Sequence, residues 1–211
     1  MQTSLSIMAH PKRRSEALAL EEKLQKYQFK ELNITWDKKN NEWDTGERAL
    51  RAGIKAGCDW HLVLQDDAII PDDFYKHVSN AIKFVPTKSL ISLYTGKARP
   101  LKKRITVAVS KSRYCSWLKS DLLFWGVGII IPTSHIEPML EYAETRTEQY
   151  DTRIGIFYQR NMLPVYYTMP SLVDHDDNLG SLLNHGQAPE RRVAHKFIDG
   201  PISWNKDVVD I

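Results

Sequence analysis

Cysteine is scarce in this chain. Cys58 and Cys115 are the only two, and their spacing offers no framework for a disulfide scaffold, which fits a reducing compartment. Long apolar runs are missing as well: none approaches the ~18 residues that a membrane span needs. Residues 1–10 lack the basic start and long apolar middle of a signal peptide, so the expected location is the cytoplasm. No repeat or low-complexity tract interrupts the sequence. Neither sign of charge dominates, with a formal net charge of +3, so total charge argues for no nucleic-acid or membrane partner and a local cluster has to make that case. What is present is ordinary for a globular protein: 211 residues, 42% apolar and 26% charged. That length supports one core burying about 70% of the unfolded surface. One domain is expected over residues 1–186, with the polar stretch 187–211 packed on it as a tail.

The most informative stretch is 59–74, DWHLVLQDDAIIPDDF. Trp60 to Leu64 has the pattern of a strand buried on both faces. It runs into Gln65, Asp66 and Asp67. Adjacent carboxylates at the end of a buried strand repel each other and resist desolvation, so a positive group is expected there, and a divalent cation is the economical choice. Pro71 then opens a helix with Phe74, Val78, Ala81 and Ile82 at helical spacing. The acids thus fall at the carboxyl end of a strand, where open α/β sheets place ligands.

Other segments repeat this punctuation. Residues 4–9 read as a first strand, followed by His10, Pro11, Lys12, Arg13 and Arg14, with Ser15 as a helix cap. This basic turn is either an anion site or a solvated loop. Residues 32–36 form a second strand ending at Asp37, an acid placed to accept hydrogen bonds from a ribose or base. Asp44 and Glu47 have capping-box spacing for a helix that Gly57 ends. Strands follow at 90–94, 122–131 and 165–169, the second interrupted by Gly126 and Gly128, which suggest a kink or a place where another group must approach the backbone. A helix over 147–161 carries Asp151 near its first turn, and His135 is expected as a surface or cap residue. His175 stands among Asp174, Asp176 and Asp177 without a self-contained metal motif. Residues 97–113 carry seven cations, including Lys102, Lys103 and Arg104, and no acid. They read either as a patch for a polyanion or as a solvated loop or hairpin around Ile105 to Val109.

In this order the elements resemble glycosyltransferases of the GT-A fold. Gln65, Asp66 and Asp67 are similar to that family's DxD element with the first acid replaced. Trp125, Gly126, Val127 and Gly128 are similar to its glycine loop, Tyr150 and Asp151 to its xED element, and His175 in PSLVDH to its carboxy-terminal metal-binding histidine. The resemblance implies a single-domain, Rossmann-like three-layer α/β sandwich with a mostly parallel mixed central sheet. It implies Mn²⁺ or Mg²⁺ held by Asp67 and His175, and Asp151 as catalytic base. Donor binding falls to His10, Arg13, Asp37, Gln65 and Asp66, and the sugar-side loop to Trp125, Gly126 and Gly128. The partners are a nucleotide-sugar donor and an acceptor such as hydroxylated-base DNA or an anionic glycan, with Lys102, Lys103 and Arg104 as polyanion contacts. The alternatives are a metal-dependent nucleotidyl or phosphoryl transferase and a non-catalytic polyanion-binding module.

Overall fold

The computed structural model of the chain describes residues 2–97, 102–180, 182 and 191–211. In chain order the elements are β1 (Thr3–Ala9), α1 (Arg14–Gln25), β2 (Leu32–Trp36), α2 (Glu42–Ala56), β3 (Trp60–Gln65), β4 (Ala68–Ile69), α3 (Phe74–Phe84) and β5 (Leu90–Ser92). They continue with α4 (Lys102–Lys111), β6 (Trp117–Ser120), β7 (Gly128–Pro132), α5 (Thr133–Ala143), α6 (Tyr150–Arg160), β8 (Val165–Thr168), β9 (Asp174–His175) and β10 (Val208–Asp210). Eight strands form one sheet in the order β10-β6-β8-β5-β7-β3-β1-β2, while β4 and β9 make a separate ribbon. β1–β2, β1–β3, β5–β8 and β6–β10 pair parallel; β3–β7, β5–β7 and β6–β8 pair antiparallel. The protein is therefore α/β with a mixed, mostly parallel central sheet between helices, a Rossmann-like architecture.

Side-chain alternation along the buried strands creates the two helical layers. Leu62 and Leu64 of β3 enter one core with Ile7, Leu20, Leu24, Phe74 and Val78, beneath α1 and α3. Val63 enters the other with Leu50, Ile105, Met139 and Ile154, beneath α2, α4, α5 and α6. A strand covered on both faces needs the near-continuous apolar run that Trp60 to Leu64 supplies.

Several boundaries differ from the sequence reading. Residues 105–109 are neither hairpin nor loop but the middle of α4: Ile105 and Ala108 are buried one helical turn apart, and the cations face solvent. The run 122–131 is not one strand; only Gly128–Pro132 is. Tyr167 Oη takes a hydrogen bond from the Phe124 amide at 3.0 Å and donates to the Leu122 carbonyl at 2.7 Å, so a side chain replaces the ladder there. Asn41 rather than Asp44 caps α2, accepting from the Asp44 amide at 3.1 Å; Asp44 instead pairs with Arg48 at 2.9 Å. Ahead of α1 the cap is His10, whose Nδ1 accepts from the Lys12 amide at 3.1 Å. Ser15 turns to Glu16.

Residues 191–211 do more than lie over the domain. β10 completes the sheet beside β6, Ala194 bridges Gly96, and Trp204 packs on Trp117 with ring centroids 5.1 Å apart. The expected boundary at 186–187, and Arg99 of the basic stretch, lie outside the described residues.

Candidate functional site

Strand β3 carries Gln65 to its carboxyl end, where the Gln65 amide donates to the Val127 carbonyl at 2.9 Å. The chain then turns through Asp66 and Asp67, both buried, into β4. Ala68 lies opposite His175 in the β4–β9 ribbon, and the Asp176 amide donates to the Asp67 carbonyl at 2.9 Å. This short ribbon joins two distant parts of the sequence: His175 Nε2 lies 3.1 Å from Asp67 Oδ2, with each side chain only 4% exposed.

The positive group expected beside these acids comes from the chain itself. Arg13 Nη1 donates to Asp66 Oδ1 at 2.9 Å and to Asp67 Oδ2 at 2.5 Å, and Nη2 donates to the Gly180 carbonyl. Burial works against the Arg13 charge, but Asp67 and Asp66 outweigh it and hold the guanidinium above its ordinary range. Burial likewise opposes the charge on Asp67, yet His175 and Arg13 hold that carboxyl below the usual range. Asp66 moves the other way. Burial and the neighbouring Asp67 charge raise it, against the His10 amide and Arg13. One guanidinium serves two carboxylates, and Asp67 keeps the firmer charge.

The expected donor-binding set is therefore only partly assembled. Arg13 is buried with Nη1 and Nη2 committed, so it does not present an open guanidinium to an anion as the basic turn suggests. His10 gives its amide to Asp66 Oδ2 at 2.7 Å and its ring to the local cap. Asp37 uses Oδ1 to hold its own turn, accepting from the Lys39 and Asn41 amides at 2.9 and 3.3 Å. His135, expected as a surface or cap residue, is half-buried in the first turn of α5 with Nδ1 2.9 Å from Tyr158 Oη.

Asp67 and His175 are of the side-chain types that could hold a divalent ion. Asp67 Oδ2 and His175 Nε2 stand 3.1 Å apart, the length of an N–H···O hydrogen bond, and the same oxygen accepts from Arg13 Nη1, so an ion held by both residues would have to replace that hydrogen bond. Asp67 Oδ1 is buried without a partner, a cost that a bound cation would remove. Among the described residues no group of three or more His, Cys, Asp or Glu side chains converges in the manner of a metal centre. Were an ion bound here, Asp67 and His175 would be its two protein ligands, and phosphate oxygens and water would complete the shell, as is usual where Mg²⁺ meets a phosphate.

The glycine segment 125–128 connects this end of β3 to Asp151. A Cβ on Gly128 would lie 3.0 Å from Val173 and 3.1 Å from Leu64, so its lack of a side chain lets residues 172–175 close over β3. A Cβ on Gly126 would lie 2.9 Å from the Tyr150 ring and 3.4 Å from Asp151 Cβ. Trp125 stands edge-on to Tyr94 with centroids 5.6 Å apart. Asp151 lies in the first turn of α6, half-buried, where burial raises its pKa against hydrogen bonds from Thr152.

The sequence reading missed Glu42. It is the first residue of α2, and its carboxyl is pushed up to about 7, by burial first and then by the Asp151 charge, against the Tyr150 amide. Its signal was an acid directly after a capping Asn41, hidden because the helix start was drawn at Asp44.

Lys102, Lys103 and Arg104 lie exposed on α4. With Val107, Lys111, Asp210 and Ile211, Lys103 and Arg104 line a shallow groove of about 400 Å³. α4 packs against β10, five places from β3 in the sheet order, or about 24 Å at the usual strand spacing. The structure does not gather these cations around Asp67.

No protein-family model matches the chain, and no curated protein is similar to it.

Proposed function

We propose that this protein is a metal-dependent glycosyltransferase that moves a sugar from a nucleotide-diphosphate sugar to an acceptor hydroxyl. The observation that supports the reading is the buried contact of Asp67 Oδ2 with His175 Nε2 at 3.1 Å, at the end of β3, with the segment 125–128 running from there to Asp151. Asp67 and His175 would hold Mn²⁺ or Mg²⁺, which when bound would neutralise charge on the departing diphosphate.

The chain's own residues account for the remaining steps. Asp151 takes the proton of the acceptor hydroxyl, whose oxygen bonds to the anomeric carbon as the carbon–oxygen bond to the diphosphate breaks and the nucleoside diphosphate leaves with that electron pair. A carboxylate whose pKa is raised by burial is a stronger base than a solvated one, provided the hydroxyl lies within about 3 Å. Arg13 helps keep Asp67 ionised in a dry environment and fixes the orientation of both Asp66 and Asp67. Gly126 and Gly128 bring the backbone of 125–128 against both acidic positions without side chains intervening.

A long anionic acceptor suits the placement of α4. Among the described residues, no ion pair reaches Lys103, Arg104 or Lys111, so their charge is open to an external anion. The test is a panel of nucleotide sugars incubated with Mn²⁺, with and without DNA carrying hydroxymethylated bases, followed by detection of released nucleoside diphosphate. Mn²⁺-dependent release that disappears in Asp67→Asn is expected. Release of pyrophosphate or phosphate instead would indicate the nucleotidyl or phosphoryl transferase.

A further inference from the structure

The surface around α4 carries chemistry that the site at Asp67 does not use. Of this helix only Ile105 and Ala108 are buried, while Lys103, Arg104, Val107 and Lys111 are exposed. Lys103, Val107 and Lys111 are spaced four residues apart, so they line up along one face. With Arg104, Ala108, Asp210 and Ile211 they border the groove of about 400 Å³. Asp210, the one acidic side chain among them, is paired with Lys119 at 2.9 Å, and residues 102–114 contain no acid. The groove is therefore positive, and its charge is not cancelled locally.

Just beyond the helix an aromatic ring is held out to solvent. Tyr114 is 76% exposed, yet its backbone is fixed. The Ser112 amide donates to the Val109 carbonyl at 3.1 Å and the Cys115 amide to the Ser112 carbonyl at 3.0 Å. Asn205 clamps the turn from outside, donating Nδ2 to the Tyr114 carbonyl at 2.7 Å and accepting from the Ser116 amide at 3.3 Å. The Arg113 guanidinium stands 5.4 Å from the ring centroid, whereas Trp117, three residues on, turns inward and is buried. Single exposed apolar side chains are common on any protein. Here two of them, Val107 and Tyr114, fall in the same stretch as the unpaired cations.

We propose that α4 and the turn after it form a binding surface for single-stranded nucleic acid, with phosphates on Lys103, Arg104, Lys111 and Arg113 and a base stacked on Tyr114. A positive groove beside a ring open to stacking is the combination that holds such strands without regard to sequence. The helix is about 15 Å long, room for a few nucleotides. A duplex fits less well, because its bases are already stacked on one another and leave the ring without a partner. So does a lipid surface: an interfacial helix inserts its apolar face, and that of α4 is spent on the core through Ile105 and Ala108. The proposal concerns binding alone; it goes beyond the transferase reading and does not depend on it.

The test is fluorescence anisotropy of labelled dT12, U12 and an abasic strand of the same length, titrated with the full-length protein over a range of NaCl concentrations. Binding of dT12 or U12 is expected, the preference between them naming DNA or RNA, with log affinity against log salt falling at a slope of about −3 for four phosphates. Combined Lys103→Gln, Arg104→Gln and Lys111→Gln should weaken binding about tenfold or more at 0.1 M salt and flatten the slope by about 2. Tyr114→Ala should cost about fivefold or more on the strands that carry bases and nothing on the abasic one, and Tyr114→Trp should bind as the wild type does. Thermal melts check that each variant is folded; should Tyr114→Ala not fold, the wild-type comparison of dT12 with the abasic strand still decides. Equal affinity of the wild type for those two strands, a triple variant that binds like the wild type, or tighter binding of a duplex than of either single strand overturns the proposal. So does binding to phosphatidylserine vesicles with none to the oligonucleotides, which would assign the surface to lipid.

Discussion

Arg13 is the residue on which the candidate site turns. It supplies a buried positive charge to Asp66 and Asp67, so the acids at the end of β3 are compensated before any ligand arrives. Removing one member of a buried charged group leaves the others uncompensated, which costs about 3–5 kcal/mol. Arg13→Met should therefore lower the unfolding free energy by about that amount in urea denaturation, and Mn²⁺ should restore part of it because the ion replaces the missing charge. No loss of stability in Arg13→Met would show that the guanidinium is incidental. Asp67→Asn differs in kind: Arg13 keeps Asp66 and the Gly180 carbonyl as partners, so the fold should persist while stabilisation by Mn²⁺ disappears in a thermal melt. That Asp66 and Asp67 end a buried strand was legible from the apolar run Trp60 to Leu64 before them, whereas the meeting of Asp67 with His175 was expected only from the resemblance. The Arg13 contact was not legible, because a partner 53 positions away leaves no trace in local pattern.

At the scale of elements, the end of α6 carries a strain that one substitution should relieve. Met162 has φ 53, its amide donates to the Gln159 carbonyl at 3.1 Å, and the Leu163 amide donates to the Tyr158 carbonyl at 2.9 Å. That is the helix-ending motif in which glycine is preferred, because a side chain in the left-handed region costs about 1–2 kcal/mol. Met162 is 91% exposed and has almost no packing to lose. Met162→Gly should raise stability by about 0.5–1 kcal/mol, seen as a higher melting temperature; a lower one would contradict this reading of the turn.

The same scale separates elements that could be read from those that could not. The segments β1, β2, β3, α2 and β8 follow apolar periodicity and punctuation closely. Helix α4 does not, because Ile105, Thr106, Val107 and Val109 favour strands, and only its packing against the second core makes it helical. Strand β6 was missed because four residues ending in Lys119 and Ser120 give no alternation long enough to recognise. The false strand over 122–127 has real apolar content, but the Tyr167 hydroxyl satisfies its backbone in place of a neighbouring strand.

For the whole molecule, two buried groups set opposing trends of stability with pH. Glu42, raised to about 7, holds its proton in the folded state where the unfolded chain has released it. Its contribution is full below the ordinary glutamate range and is lost as pH rises through 7. His61 is lowered to about 4 by burial, against its contact with the Ala49 carbonyl. It lies 2.8 Å from Ser4 Oγ and fills the space above Gly53. Its contribution is full above the ordinary histidine range and is lost as pH falls through about 4. Each slope is at most about 1.4 kcal/mol per pH unit. From pH 6.5 down to 4.5, the advantage of the wild type over His61→Asn should shrink while its advantage over Glu42→Gln grows. Difference curves sloping the same way would contradict one of the two assignments.

The architecture itself was legible because alternating strands and helices with buried parallel pairs permit few arrangements. The far placement of α4 was not, since sheet order depends on which strands pair across the whole chain. Every functional statement returns to the joining of Asp67 and His175 by the β4–β9 ribbon. The most direct measurement is binding of Mn²⁺, followed by electron paramagnetic resonance in the presence of UDP, to the wild type, Asp67→Asn and His175→Ala. Bound Mn²⁺ in the wild type and its loss in both variants is the expected result; equal binding by all three proteins, or binding by none, would contradict it.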